Sequence, residues 1–335
     1  MRPALRRGLL VAVPVAIAAL VELELQTPTT GAITVGASIT GFVAFDAAAG
    51  TRFWWQLGVA PVIGVAAGLG ALTGGSAALA IPTMAVFAGV GAMSRALSPR
   101  LVIAAINCVL ALLIAQGLRL EADDTIRVLV LGGAGALAQA TLSLVVAVVQ
   151  GSVERPHAIT GARAAARAVR ANLKLSSPVL RHAIRSAGAL GAAVGAYYVV
   201  HLGRHGYWIP LTVLFVLSSD RAQTYERIWM RAAGTAVGLA AATGLAILAH
   251  HYIGVNVALI TLTAAVSYAM LRLEYALFTL AITIYIVVLS HAMGESAAAA
   301  SGERALGTAI GIGIVAIAFA VWRERPAEVT ARASA

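Results

Sequence analysis

A single cysteine, Cys108, is the whole thiol content of the chain, which excludes an intrachain disulfide and a thiolate metal cluster. Charge is scarce as well: Asp, Glu, Lys and Arg supply 11% of the 335 residues. A soluble domain uses roughly 25% to keep its surface wet, so most of this surface faces something other than water. Lysine is almost missing, with Lys174 alone among 24 basic residues. No Gly-x-x-x-x-Gly-Lys phosphate loop occurs, and no serine sits in a nucleophile elbow. His250 and His251 are adjacent and diverge on a helix, His201 and His205 fall at an interface, and no histidine pair is joined by a carboxylate at zinc-enzyme spacing. These gaps predict a non-enzyme with no cofactor and no metal.

What is present is apolar. Hydrophobic residues make up 60% of the chain and its mean hydropathy is +0.88. A spanning helix needs about 20 mostly apolar residues, and twelve candidates occur: 6–22, 30–46, 54–72, 76–94, 101–117, 127–150, 183–201, 207–219, 232–249, 253–270, 275–290 and 304–322. The first has the basic start of a signal peptide but runs into Glu22-Leu23-Glu24 instead of a small-residue cleavage site, so it reads as a retained helix. Glycines at four-residue spacing, Gly64 with Gly68 and Gly307 with Gly311, permit close helix approach in lipid.

The formal charge of +10 and the pI near 10.6 do not point to nucleic acid, because the basic residues lie between apolar runs. They are topology signals. With the N-terminus inside, 20 of the 24 fall in cytoplasmic segments, and only Arg119, Arg127, Arg204 and Arg304 fall outside. That asymmetry puts both termini in the cytoplasm. The one long polar stretch, 151–178, carries Arg163, Arg167, Arg170 and Lys174 at three- and four-residue steps, the pattern of a basic amphipathic helix on an anionic inner leaflet. A plain surface linker and a segment that binds a cytoplasmic partner or a nucleic acid are its other readings.

That linker divides a duplication. Leu5-Arg6 recurs as Leu180-Arg181 and Arg52 as Arg227, both shifted by 175, while Arg95 and Arg127 recur as Arg272 and Arg304, shifted by 177. Six spans in each half is an even number, so the halves point the same way. The expected fold is all-α and transmembrane, about twelve helices in two parallel six-helix repeats related by a pseudo-twofold axis along the membrane normal. The expected domains are 1–150 (first repeat), 151–178 (linker), 179–324 (second repeat) and 325–335 (cytoplasmic tail).

Within the second half, Gly206-Tyr207-Trp208-Ile209-Pro210-Leu211-Thr212-Val213 is followed by Arg231-Ala-Ala-Gly234-Thr235-Ala-Val-Gly238, and Arg304-Ala-Leu-Gly307-Thr308-Ala-Ile-Gly311 repeats the second element. This pattern resembles the fusaric acid resistance protein-like family. The first half is similar mainly through the duplication, with Phe53-Trp54-Trp55 and Gly58 to Gly64 in place but no Gly-Thr step. The resemblance implies an inner-membrane exporter of aromatic carboxylic acids. Larger relatives carry a cytoplasmic domain where this chain has only its linker, and similar plant proteins are anion channels.

An anion crossing lipid needs a positive site. The candidates are Arg231, Arg304, Arg52, Arg227, Arg95 and Arg272, each able to hold a carboxylate with its planar fork or to serve as a snorkelling anchor. Asp46 and Asp220 end the equivalent second spans and precede Arg52 and Arg227, which suits either proton coupling or a helix cap; Glu274 beside Arg272 allows the same two roles. Tyr207 and Trp208, near Tyr197 and Tyr198, suit an interfacial belt or an aromatic wall for substrate. Pro210 is able to break its span; Tyr268 and Tyr285 lie deeper as packing residues. Three functions follow: a proton-coupled exporter of small, aromatic organic anions, an anion channel of the same fold, or an accessory membrane subunit. Its partners are the small anion and the bilayer, with homo-oligomerisation open.

Overall fold

The computed structural model describes residues 2–25, 31–118, 124–153, 161–200, 202, 206–249, 252–271, 273–292, 294 and 296–321. Secondary structure among them is helical throughout. The helices are α1 (Arg2–Val11), α2 (Val13–Leu25), α3 (Ala32–Gly41), α4 (Ala49–Thr73), α5 (Ala77–Met93), α6 (Pro99–Gly117) and α7 (Asp124–Val149), then α8 (Ala162–Ala171), α9 (Pro178–Val200), α10 (Trp208–Val216), α11 (Arg221–Ala249), α12 (Ile253–Met270), α13 (Tyr275–Ala292) and α14 (Ala297–Val321). Only Ala12 parts α1 from α2; Pro14 lacks the N–H that would close the ladder there, and the two run on as one span.

Among the described residues, nine helices are long and apolar enough to cross a membrane. Large apolar side chains face outward along them, such as Val90, Val149, Val199, Ile317 and Val321, as lipid-facing surfaces require. On α5 the buried residues are Ala80, Met84 and Ala88, one stripe at a four-residue step. Helix α11 has 29 residues and holds the apolar stretch 232–249 behind a polar first third.

Of the twelve expected spans, 30–46, 207–219 and 232–249 are not among those nine; the last is the apolar stretch of α11, and the other two differ from expectation. Where 30–46 and 207–219 were to cross, α3 and α10 have only 10 and 9 residues. Left-handed Gly31 (φ 99°) opens α3, and turns that include Ala44 (φ 51°) follow it; α10 ends at extended Leu217. Neither is long enough to cross alone. Both are shielded by neighbours: α3 packs on α7 and α10 on α14.

In the first half α4 lies against α6 and α7; in the second α11 lies against α13 and α14. The opening helices cross over. α1 and α2 pack on α12, and α9 packs on α5. On α8, Arg163, Arg167 and Arg170 are exposed while Ala164, Ala165, Ala168 and Val169 are half-buried, the amphipathic arrangement expected from the spacing.

Candidate anion site between helices 10, 11 and 14

Helix α10 presents Trp208 and Phe215 seven residues apart, two turns along one face. Each receives an arginine. The Arg304 guanidinium of α14 lies 5.3 Å from the Trp208 ring, and that of Arg231 from α11 lies 5.7 Å from the Phe215 ring. Both arginines are fully buried, and they are close enough to repel one another. Among the described residues neither guanidinium has a carboxylate partner, and their nitrogens make no hydrogen bond of ordinary geometry; the Tyr275 hydroxyl is the polar group placed to interact with Arg231. An ionised group buried without compensation costs several kcal/mol, so two side by side are kept for something other than stability.

Helix geometry adds hydroxyls. Thr235 stands one turn beyond Arg231, Thr308 one turn beyond Arg304, and Thr212 one turn beyond Trp208. A buried helical threonine commonly donates to the carbonyl four residues back, as Thr40 does to Gly36 (2.7 Å) and Thr263 to Leu259 (2.6 Å). The hydroxyls of Thr212, Thr235 and Thr308 are buried and make no such bond. Close packing holds the faces together: a Cβ on Gly307 would lie 3.0 Å from the Trp208 Cβ, and one on Gly311 would lie 2.7 Å from the Thr212 Cβ. The glycine-threonine steps thus have a double use, the glycine admitting α10 and the threonine supplying a donor.

A cavity of about 290 Å³ leads toward this cluster, lined among others by Arg95, Asn107, His182, Arg227, Phe215 and Tyr275. Tyr275 donates to the Phe215 carbonyl at 3.2 Å, Arg227 to the same carbonyl at 3.5 Å, and Arg227 stacks 5.5 Å from the Tyr275 ring. Arg231 touches the same Phe215 ring from outside the cavity lining, so Phe215 stands between cavity and arginine pair. Replacing Phe215 with alanine should open that passage. A Thr235→Cys reporter in a Cys108→Ser background should then react with an anionic thiosulfonate about tenfold faster, as about 1.4 kcal/mol leaves the barrier.

The remaining candidates are distributed elsewhere. Arg52 is buried in the first half, where its Nε donates to Ser143 Oγ (3.1 Å), which donates to Gln56 Oε1 (2.7 Å). The Gln56 amide in turn donates to the Thr40 carbonyl at 3.1 Å. Arg95 is exposed and donates to Ser219 Oγ at 2.9 Å. Arg272 lies outside the described residues, as do His201, His205, His250 and His251. Asp46 is exposed, and Asp220 caps α11, its Oδ1 accepting from Gln223 N at 3.0 Å. Asp220→Ala should therefore cost about 1 kcal/mol of stability, measurable by thermal unfolding in detergent. Tyr207 is half-buried with its ring 5.8 Å from that of Trp208. Tyr197 donates to the Gly117 carbonyl and Tyr198 to that of Gly74.

Two buried charged residues have only weak signals in the sequence. Arg185, counted only as a topology residue, is buried against Phe319 at 4.0 Å and donates to the carbonyls of Ser218 and Ser219 where the backbone leaves α10. Its signal was the polar stripe His182, Arg185, Ser186 on an apolar helix. Glu22, at the end of the first span, is 1% exposed.

The glycine-threonine helices and α10 fall inside the stretch that decides kinship. Residues 190–318 match the fusaric acid resistance protein-like family. The resemblance seen in the Trp-Ile-Pro-Leu-Thr and Arg-x-x-Gly-Thr-x-x-Gly elements therefore holds, and the arginine pair with its aromatic and threonine neighbours lies within the matched stretch, while the cavity beside it also draws on Arg95, Asn107 and His182 outside it. Inner membrane protein YccS of Escherichia coli is 31% identical over 140 residues, 41% of this chain and 19% of its own length. Protein YhfK of the same organism is 38% identical over 119 residues, 35% of this chain and 16% of its own. An uncharacterized protein of Haemophilus influenzae is 28% identical over 158 residues, 47% of this chain and 21% of its own. The matches thus span about a fifth or less of these relatives. No solved structure matches the chain. The family match, the similarity to an inner membrane protein and, among the described residues, nine helices long and apolar enough to cross a membrane support a multi-pass inner-membrane protein.

Proposed function

We propose that the chain is a secondary transporter that exports small organic acid anions, aromatic ones among them, in exchange for protons. One observation carries this reading: two fully buried guanidiniums that, among the described residues, have no carboxylate partner, together with threonine hydroxyls left without a hydrogen bond there and two aromatic faces. Every unsatisfied side-chain group named there donates except the hydroxyls, which also accept, and none is acidic. That chemistry suits a carboxylate held in a fork, with a ring against Trp208 or Phe215. Arg95 and Arg227 along the cavity draw anions toward the pair from the expected cytoplasmic side.

The proposed architecture is two six-span repeats, 1–150 and 179–324, about a pseudo-twofold axis, with termini and linker inside. The exchange of opening helices supports it, since α1 and α2 pack on the fourth span of the second half as α9 packs on that of the first. The short second span in each half, α3 and α10, supports it too.

The test uses the purified chain in liposomes loaded with radiolabelled benzoate. Efflux should saturate and accelerate when the receiving side is made acid. Current that follows voltage without saturating would establish a channel instead, and no benzoate movement under either gradient would overturn the reading. Topology is tested by reporter fusions at the N-terminus and near Arg167, which should report the same side.

A further inference from the structure

We propose that Glu22 is the proton-binding group of this transport cycle, and that α3 and a run of aromatic rings carry its state to the arginine pair. The proposal rests on the exporter reading above and names the residue that couples it. Glu22 Oε1 accepts from Ile33 N at 2.8 Å, and Oε2 accepts from Thr34 N at 3.2 Å and Thr34 Oγ1 at 2.6 Å. These are the first amides of α3, whose own N-cap, Gly31, has no side chain to offer. A carboxylate from α2 thus closes the positive end of a short helix from outside it. Among the described residues no cation pairs with it, so the ionised form is held by hydrogen bonds from the start of α3, the Gly31 backbone among them, and by the helix dipole.

Among the described residues the side chains that face it are neutral. α3 bears no titratable side chain. α12 brings Tyr268, whose hydroxyl donates to the Ser38 carbonyl at 2.9 Å, and α13 brings Tyr285, whose hydroxyl meets Ser38 Oγ at 2.6 Å and is an electrostatic neighbour of Glu22. α7 bears only Asp124 and Arg127, paired with each other at 3.4 Å. On α1, Arg7 is directed to the Phe45 carbonyl at 3.3 Å. Glu24, on α2 itself, points to a different face.

When Glu22 takes a proton from the outer aqueous phase its charge disappears, and with it the dipole attraction that seats α3. When the proton leaves to the inner phase the carboxylate re-forms and α3 is seated again. One O–H bond is made and the same bond broken in each cycle. The opposite end of α3 reaches the anion site through contacts already in place. Phe42, its C-cap, lies 4.6 Å from Tyr268 and 6.1 Å from Phe278; Phe278 lies 5.6 Å from Phe215, on which Arg231 rests. Gly41 admits no side chain, since a Cβ there would stand 2.7 Å from the Tyr268 ring, so α3 cannot shift without moving that ring.

The experiment compares wild type with Glu22→Gln in benzoate-loaded liposomes, by acid-stimulated efflux and by benzoate–benzoate exchange at equal pH. Glu22→Gln should exchange at the wild-type rate while acid stimulation falls about tenfold, as expected when a coupling energy is removed and a binding site is not. Thr34→Val, which removes one donor from the carboxylate, should move the pH of half-maximal stimulation upward. That variant decides the matter should Glu22→Gln fail to fold. Acid stimulation that survives in Glu22→Gln, an unmoved midpoint in Thr34→Val, or loss of stimulation in Asp46→Asn or Asp220→Asn instead would overturn Glu22 and leave the exporter standing. Wild type that carries benzoate without acid stimulation overturns both.

Discussion

Replacing Arg231 and Arg304 together with methionine will stop anion flux and, in the same protein, raise its thermal stability. Methionine approximates the arginine stem in volume and needs no partner, so the variant keeps the packing against Trp208 and Phe215 while removing two buried charges that have no carboxylate partner among the described residues. Exchanging buried charge for apolar volume commonly stabilises by about 1–4 kcal/mol. Flux should fall by at least about 100-fold, because each hydrogen bond to a charged group contributes about 1.5–3 kcal/mol. Benzoate efflux and a melting curve in detergent read the two effects. Opposite signs are the signature of a site held at the expense of stability. A drop in melting temperature would mean that the guanidiniums serve the fold, and the anion site would lose its basis.

The largest structural effect is expected at Gly36 and Gly135, where α3 and α7 cross. A Cβ on Gly135 would stand 2.1 Å from the Ile33 carbonyl oxygen, and one on Gly36 would stand 2.1 Å from that of Gly132. Both obstacles are backbone, so the helices themselves must part. Gly135→Val should cost more than the usual 1–3 kcal/mol of overpacking and leave little monodisperse protein on fluorescence size exclusion. Gly244 and Gly313 have open space where a Cβ would go. Alanine there should be tolerated, or stabilise by about 0.5–1 kcal/mol through helix propensity. Equal behaviour of Gly135→Val and Gly313→Ala would refute the crossing.

Arg231 and Arg304 stood out in the sequence because each heads a glycine-threonine step, a local pattern that survives without coordinates. Arg52 looked equivalent to Arg227, yet it is held by Ser143, 91 residues away, a partner no spacing could reveal. Asp220 behaves as the cap its place before α11 allowed. Glu22 was legible as a carboxylate at the edge of a span, but its role depends on where the start of α3 comes to rest. Trp208, next to a polar loop, suited the interface equally well; only packing on Gly307 shows it fully buried under Arg304.

Membrane residence, the number of apolar segments and the pairing of glycine with threonine are written along the chain, because hydropathy and helical spacing depend on neighbours a few residues apart. Tertiary structure alone decided that two spans are short helices, that two buried arginines lie within electrostatic reach with no counter-ion among the described residues, and that Glu22 closes the end of α3. Each of those outcomes is set by contacts between distant segments, where the cost of a buried charge depends on which groups the fold brings within reach.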